Sequence, residues 1–170
     1  ICSNPIKIER GKHTTNFKYN SRCLLVEKNS TRGDSIYLKY HPVSEKLTFV
    51  KNEYGTFEFT YDERLNLTYA LKNSTKWVKL VYDDNNKILS MIDGNNETEK
   101  TNELTFEYNK IGKPIKIKMK DAGAINVTYD DAGEMDRVSS DDGHKMALKV
   151  TQAFQNLLAL VKPSGVNLGI

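Results

Sequence analysis

The chain has 170 residues and 19.4 kDa, with 25 basic and 22 acidic residues for a net charge of +3 and a mean hydropathy of −0.59. That length suits one domain with its own core and is short for two. The two charge signs are interleaved, which argues against a nucleic-acid partner, and no run of about 18 apolar residues offers a transmembrane segment.

The chain opens with Cys2 and the run Pro5-Ile6-Lys7-Ile8, whose pattern returns at Lys113-Pro114-Ile115-Lys116-Ile117, so the array is expected to start inside a partial repeat, with this run as its return strand. No basic-then-apolar signal segment stands at the N-terminus. Cys23 follows Cys2 by 21 residues, one repeat period. Equivalent positions in successive hairpins lie two strands apart, about 9.5 Å, while a disulfide needs Cα atoms within about 7 Å. A bridge between them therefore requires the terminus to bend, and the spacing leaves the pairing open.

From there Tyr19, Tyr40, Tyr61, Tyr82, Tyr108 and Tyr129 each end an alternating apolar run, at separations of 21, 21, 21, 26 and 21 residues. The extra residues fall in the polar stretch 94–101. Positions four and two before the tyrosines are apolar, as in Phe57 and Phe59 or Val78 and Leu80, except that the first unit has Thr15 with Phe17, and the residues between are mostly polar. A polar turn follows each tyrosine, and Leu47 with Phe49, Leu67 with Tyr69, Ile88 or Leu89 with Met91, and Ile115 with Ile117 and Met119 are expected to restore the apolar face. Trp77 falls in a connector outside this alternation. The pattern over 1–145 predicts a mainly β chain, a curled antiparallel sheet of about six 21-residue β-hairpin repeats with its apolar face concave.

The period then changes. Met146, Val150, Phe154, Leu157, Leu158 and Val161 fall at helical spacing, and Pro163 with Gly165 ends the run. A helix over 146–162 is expected to pack on the concave face as a plug, followed by a tail over 163–170.

At Tyr61-Asp62, Tyr82-Asp83 and Tyr129-Asp130-Asp131-Ala132-Gly133 the chain resembles the Tyr-Asp (YD) repeat of the Rhs and teneurin families, over about residues 14–145. It departs from that pattern where Tyr19 and Tyr108 precede Asn, where Tyr40 precedes His41, and where the turn glycine survives only as Gly112 and Gly133. The resemblance implies curled β shells in large secreted or surface proteins, with a scaffold or binding role and no catalysis of their own.

The residues themselves point the same way. His13, His41 and His144 have no catalytic or ligand spacing, and Asp83, Asp84, Asn85 and Asn86, like Asp130, Asp131 and Glu134, lack the spaced carboxylates of a calcium loop. No catalytic residue, metal site or cofactor is expected. Five Asn-x-Ser/Thr triplets are accounted for by Asn-rich turns beside Thr-rich strands. Trp77, Phe154 and Leu158 are the candidate ligand-binding residues. The expected function is a non-enzymatic structural or adhesive β-repeat module, bacterial and secreted, periplasmic or surface-exposed, with another protein or cell-surface component as partner. The alternative is a carrier or chaperone holding a lipid or other apolar ligand beneath the helix.

Overall fold

The computed structural model describes residues 2–141 and 144–161, the side chains of His144 and Val161 excepted. Thirteen strands follow one another: β1 (Lys7–Arg10), β2 (His13–Tyr19), β3 (Leu25–Ser30), β4 (Ser35–Tyr40), β5 (Leu47–Asn52), β6 (Gly55–Tyr61), β7 (Leu67–Lys72), β8 (Lys76–Tyr82), β9 (Ile88–Gly94), β10 (Lys100–Tyr108), β11 (Pro114–Met119), β12 (Gly123–Tyr129) and β13 (Met135–Ser140). They form one antiparallel sheet in sequence order that does not close, and helix α1 (His144–Val161) follows. The partial repeat stands where it was expected: β1 begins at Lys7, and just before it the Ile6 carbonyl accepts from Phe17 N–H and the Pro5 carbonyl from the Tyr19 hydroxyl of β2.

One device recurs at every hairpin. The register slips by one residue just before each of the six tyrosines: Tyr61 pairs with Leu67 while Thr60 pairs with Tyr69, leaving Thr68 as a bulge. A bulge bends its strand and increases the local twist. It also moves the next residues of the return strand to the other face, so the inward pairs are Leu47 with Val50, Leu67 with Ala70, Ile88 with Met91, and Ile117 with Met119. Phe49, Tyr69 and Ile115, expected inside, register instead with the outward residues Lys39, Thr60 and Glu107 or their neighbours. Trp77 is likewise the second residue of β8 and not part of a connector. It pairs with Leu71 and Gly94 on that outer face, and its ring stacks on Tyr69 at 6.3 Å.

Each tyrosine hydroxyl donates to a backbone carbonyl of the preceding hairpin: Tyr19 to Pro5, Tyr40 to Leu25, Tyr61 to Leu47, Tyr82 to Leu67, Tyr108 to Ile88 and Tyr129 to Pro114, at 2.7–3.0 Å. The residue after the tyrosine then holds the turn. Asp62 Oδ1 accepts from the N–H groups of Arg64 and Asn66, Asp83 Oδ1 from Asn85 and Lys87, and Asn20 and Asn109 do the same in their turns. His41 Nδ1 accepts from Val43 and Ser44. The departures from Tyr-Asp thus keep an acceptor where the turn needs one. The left-handed turn position is filled by Cys23, Glu45, Leu65 and Asn86 as well as by Gly112 and Gly133. At Gly112 a Cβ would also meet Lys87 Cε at 2.6 Å, on the lysine's path over the Tyr108 ring.

Cys2 and Cys23 are bridged, with Cα atoms 5.4 Å apart. Strand spacing does not govern them, since Cys2 precedes β1 and Cys23 lies in the β2–β3 turn. The Asn4 amide donates to the Cys23 carbonyl at the same place.

The core runs from Leu38 on β4 to Met119 on β11 and includes Val50, Phe57, Val78, Met91 and Leu104. Helix α1 covers it with Met146, Val150, Ala153, Leu157 and Leu160, and reaches β7 and β8 as well as β12 and β13. An 18-residue helix is about 27 Å long, so it lies across several strands at about 4.8 Å each. The expected stripe is corrected in two places. Phe154 is half-buried, edge-on to Phe106 with ring centroids 6.0 Å apart, and Leu158 is 48% exposed. Five inward residues at alternating steps of four and three define the buried stripe, which leaves Leu158 on the other side. The expected helix stop at Pro163 and Gly165 and the tail over 163–170 lie outside the described residues.

Two outcomes follow for solution measurements. Leu157→Ala should lower stability by about 2–5 kcal/mol in urea unfolding, and Leu158→Ala by less than about 0.5 kcal/mol; equal costs would contradict this helix orientation. Burial pushes the Tyr61 phenol up to about 12 from 10.0. A raised phenol pKa stabilises the fold below the unfolded value and loses that contribution as pH climbs through the folded one. Tyr61→Phe should therefore flatten the fall in stability between about pH 10 and 12.

Candidate functional site

The regular pattern breaks where the period lengthens. Between β9 and β10 the residues Asn95 to Glu99 form a polar loop, and the β9–β10 register slips again between Lys100 and Asn102. The loop is tied by its own side chains: Asn96 Oδ1 accepts from the N–H groups of Thr98 and Glu99, and the Asn95 amide donates to Thr101 Oγ1. Trp77 anchors it from β8. Its indole N–H donates to the Asn96 carbonyl at 2.7 Å, and its ring lies so close to Gly94 that a Cβ there would stand 2.6 Å from it. Only glycine lets the indole and the Glu99 carbonyl approach this backbone.

Beside this loop lies Asp93, the one buried charged side chain among the described residues, 4% exposed. Its inward register two residues after Met91 puts a carboxylate on the apolar face. Asp93 Oδ1 accepts from Asn102 N–H at 2.9 Å and from the Asn102 amide at 3.0 Å, and Oδ2 accepts from the same amide at 3.1 Å. The Asn156 side chain of α1 adds a further hydrogen bond. Burial pushes the Asp93 carboxyl above the ordinary range, and these hydrogen bonds oppose the shift without cancelling it. The triad joins β9, β10 and α1 through one carboxylate.

These groups border a cleft of about 290 Å³, lined by Lys72, Lys76, Trp77, Asp93, Gly94, Asn95, Thr101, Gln152, Asn156, Ala159 and Leu160. Of the three candidate ligand-binding residues only Trp77 lines it. Phe154 packs on Phe106 in the core, and Leu158 faces away. The acids Asp62 and Asp83 are engaged in their turns, and among the described residues no three His, Cys, Asp or Glu side chains gather to hold a metal. Asp93, Asn102 and Asn156 are absent from the sequence-based candidates. Their signal was an aspartate standing two residues after Met91, where alternation calls for an apolar side chain.

No protein-family model matches this chain, and no curated protein matches it significantly. Its fold is similar to parts of several solved structures. Against the Photorhabdus luminescens Tc holotoxin pore with a mutant TccC3, identity is 16% and the TM-score 0.61, over 72% of this chain and 6% of that one. Against TcdB2–TccC3–Cdc42 the values are 16% and 0.63, over 72% and 7%, and against TcdB2–TccC3 they are 15% and 0.61, over 72% and 7%. The chain thus spans less than a tenth of those chains, and the likeness is one of fold, an Rhs-like β-sheet.

The buried carboxylate carries a pH signature. A carboxyl with a raised folded pKa binds its proton more tightly in the folded state, so its contribution to stability is present at low pH and is lost as pH rises through the folded pKa. Relative to Asp93→Asn, the wild-type chain should gain stability as pH is lowered from 7 towards the ordinary carboxylate pKa of 3.8. A difference that stays constant across this range, measured by denaturant unfolding, would contradict a buried, upshifted Asp93.

Proposed function

We propose that this chain is a structural β-repeat module of a secreted bacterial assembly, that its Tyr-Asp pattern is that of the YD repeats, and that it works as a wall and binding surface without catalysis. The observation that carries the reading is the tyrosine ladder: six hydroxyls, each bonded to a carbonyl of the preceding hairpin, stitch successive repeats into one sheet. Turn acids and His41 serve that sheet by accepting backbone N–H groups. The fold likeness to parts of toxin complexes supports a role inside a larger protein assembly. The Cys2–Cys23 bridge supports an oxidising compartment outside the cytosol. No helix among the described residues is long and apolar enough to cross a membrane, and the interleaved charges favour a protein partner over nucleic acid.

The test is to follow the native protein in its source cells. Non-reducing peptide mass spectrometry of the exported fraction should recover Cys2 linked to Cys23, in a species well above the chain's own 19.4 kDa by size-exclusion chromatography. Recovery only from the cytosol, as a monomer with free thiols, would overturn the reading.

A further inference from the structure

We propose that the cleft between α1 and the rim of β7–β10 binds a small amphipathic carboxylate, an acyl or aryl acid whose charged end meets Lys72 and Lys76 and whose apolar body rests on Trp77, Ala159 and Leu160. The site goes beyond the structural role and does not depend on it.

Its lining divides by chemistry. Lys72 ends β7 and Lys76 begins β8, so one short turn brings two lysines to the cleft lining. Neither has a carboxylate within ion-pair distance among the described residues; Lys72 sits over the Phe57 ring at 5.3 Å. Ala159 and the buried Leu160 of α1 and the indole of Trp77 on β8 supply the apolar part of the lining. Gln152 and Asn156 add amides from α1. The volume of about 290 Å³ is at the lower end of ligand pockets, which run from about 300 Å³ upwards.

Other ligand classes fit less well. A cation would face two ammonium groups, and the one buried carboxylate is already occupied by Asn102 and Asn156. A fully apolar ligand would cover the half-buried Lys72 without giving it a partner. An anion compensates both lysines, and the Asp93 carboxylate is engaged by the Asn102 backbone and side-chain N–H groups. The five-residue lengthening of the repeat is what opens this space, since it draws Asn95 and Thr101 to the cleft wall and fixes Trp77 at its mouth.

Trp77 is the chain's only tryptophan, so its fluorescence reads the cleft directly. The full chain would be titrated with octanoate, 1-octanol and octylammonium, each below its aggregation concentration. Octanoate should give a saturable change, 1-octanol a response at least about tenfold weaker, and octylammonium none. Lys76→Gln, on an exposed side chain, should weaken octanoate at least about tenfold with an unchanged circular dichroism spectrum. Lys39→Gln, on the outer face, should leave it unchanged. No saturable response to octanoate, an equal response to all three probes, or full binding by Lys76→Gln would overturn the proposal. None of these outcomes bears on the tyrosine ladder.

Discussion

A phenol hydroxyl reaching back to a carbonyl of the preceding hairpin is the contact on which this sheet depends. Two-stranded hairpins are marginal alone in water, and a meander of them needs something that fixes each hairpin against the next. The tyrosine does this with one side chain. Its ring joins the concave core, and its hydroxyl satisfies a carbonyl at the start of the neighbouring return strand. The phenol is thereby buried on its apolar side, which is why burial raises the pKa values of Tyr40, Tyr61, Tyr82 and Tyr108 together.

The neighbouring positions follow from that placement. A tyrosine that turns inward at the strand end sits at a bulge, and the bulge supplies the bend by which an open thirteen-stranded sheet curls around its apolar face. The next residue must accept turn N–H groups, a task that aspartate, asparagine and a histidine ring nitrogen all perform. Lysines from one turn then lie over the tyrosine of the next, as Lys46 does over Tyr61, Lys87 over Tyr108 and Lys113 over Tyr129, at 5.1–5.8 Å. The helix closes what the curl leaves open, with Met146 and Ala153 fully buried against the strands. Where the repeat lengthens, this regularity lapses, and around one cleft stand the buried Asp93 carboxylate, the tryptophan and two lysines that have no ion-pair partner among the described residues.

Much of the architecture was legible in the spacing of the tyrosines, because period, alternation and turn residues all report the same hairpin. The incoming strands were read correctly, since Phe57, Phe59, Val78 and Leu80 precede the bulge and obey simple alternation. The return strands were read in part: Leu47, Leu67, Met91, Ile117 and Met119 lie inside as expected, but a single bulged residue shifts the alternation, which is why Val50 and Ala70 are inside while Phe49 and Tyr69 lie outside. Hydrophobicity alone favoured the aromatic residues. In the helix, apolar spacing admitted two overlapping stripes, and only contact with the sheet selects Leu157 and Leu160 over Leu158. The Cys2–Cys23 bridge depended on turn geometry that strand spacing does not describe. The Asp93 cluster brings together residues from β9, β10 and α1, a conjunction that no local pattern encodes.

The central claim is that six of the nine tyrosines carry hydroxyls bonded from one hairpin to the next. Nuclear magnetic resonance of tyrosine hydroxyl protons tests it directly. The account predicts slowly exchanging hydroxyl signals for Tyr40, Tyr61, Tyr82 and Tyr108, each with a cross-peak to the preceding return strand, and rapid exchange for exposed Tyr37 and Tyr54. Hydroxyls that all exchange at the solvent rate would contradict it.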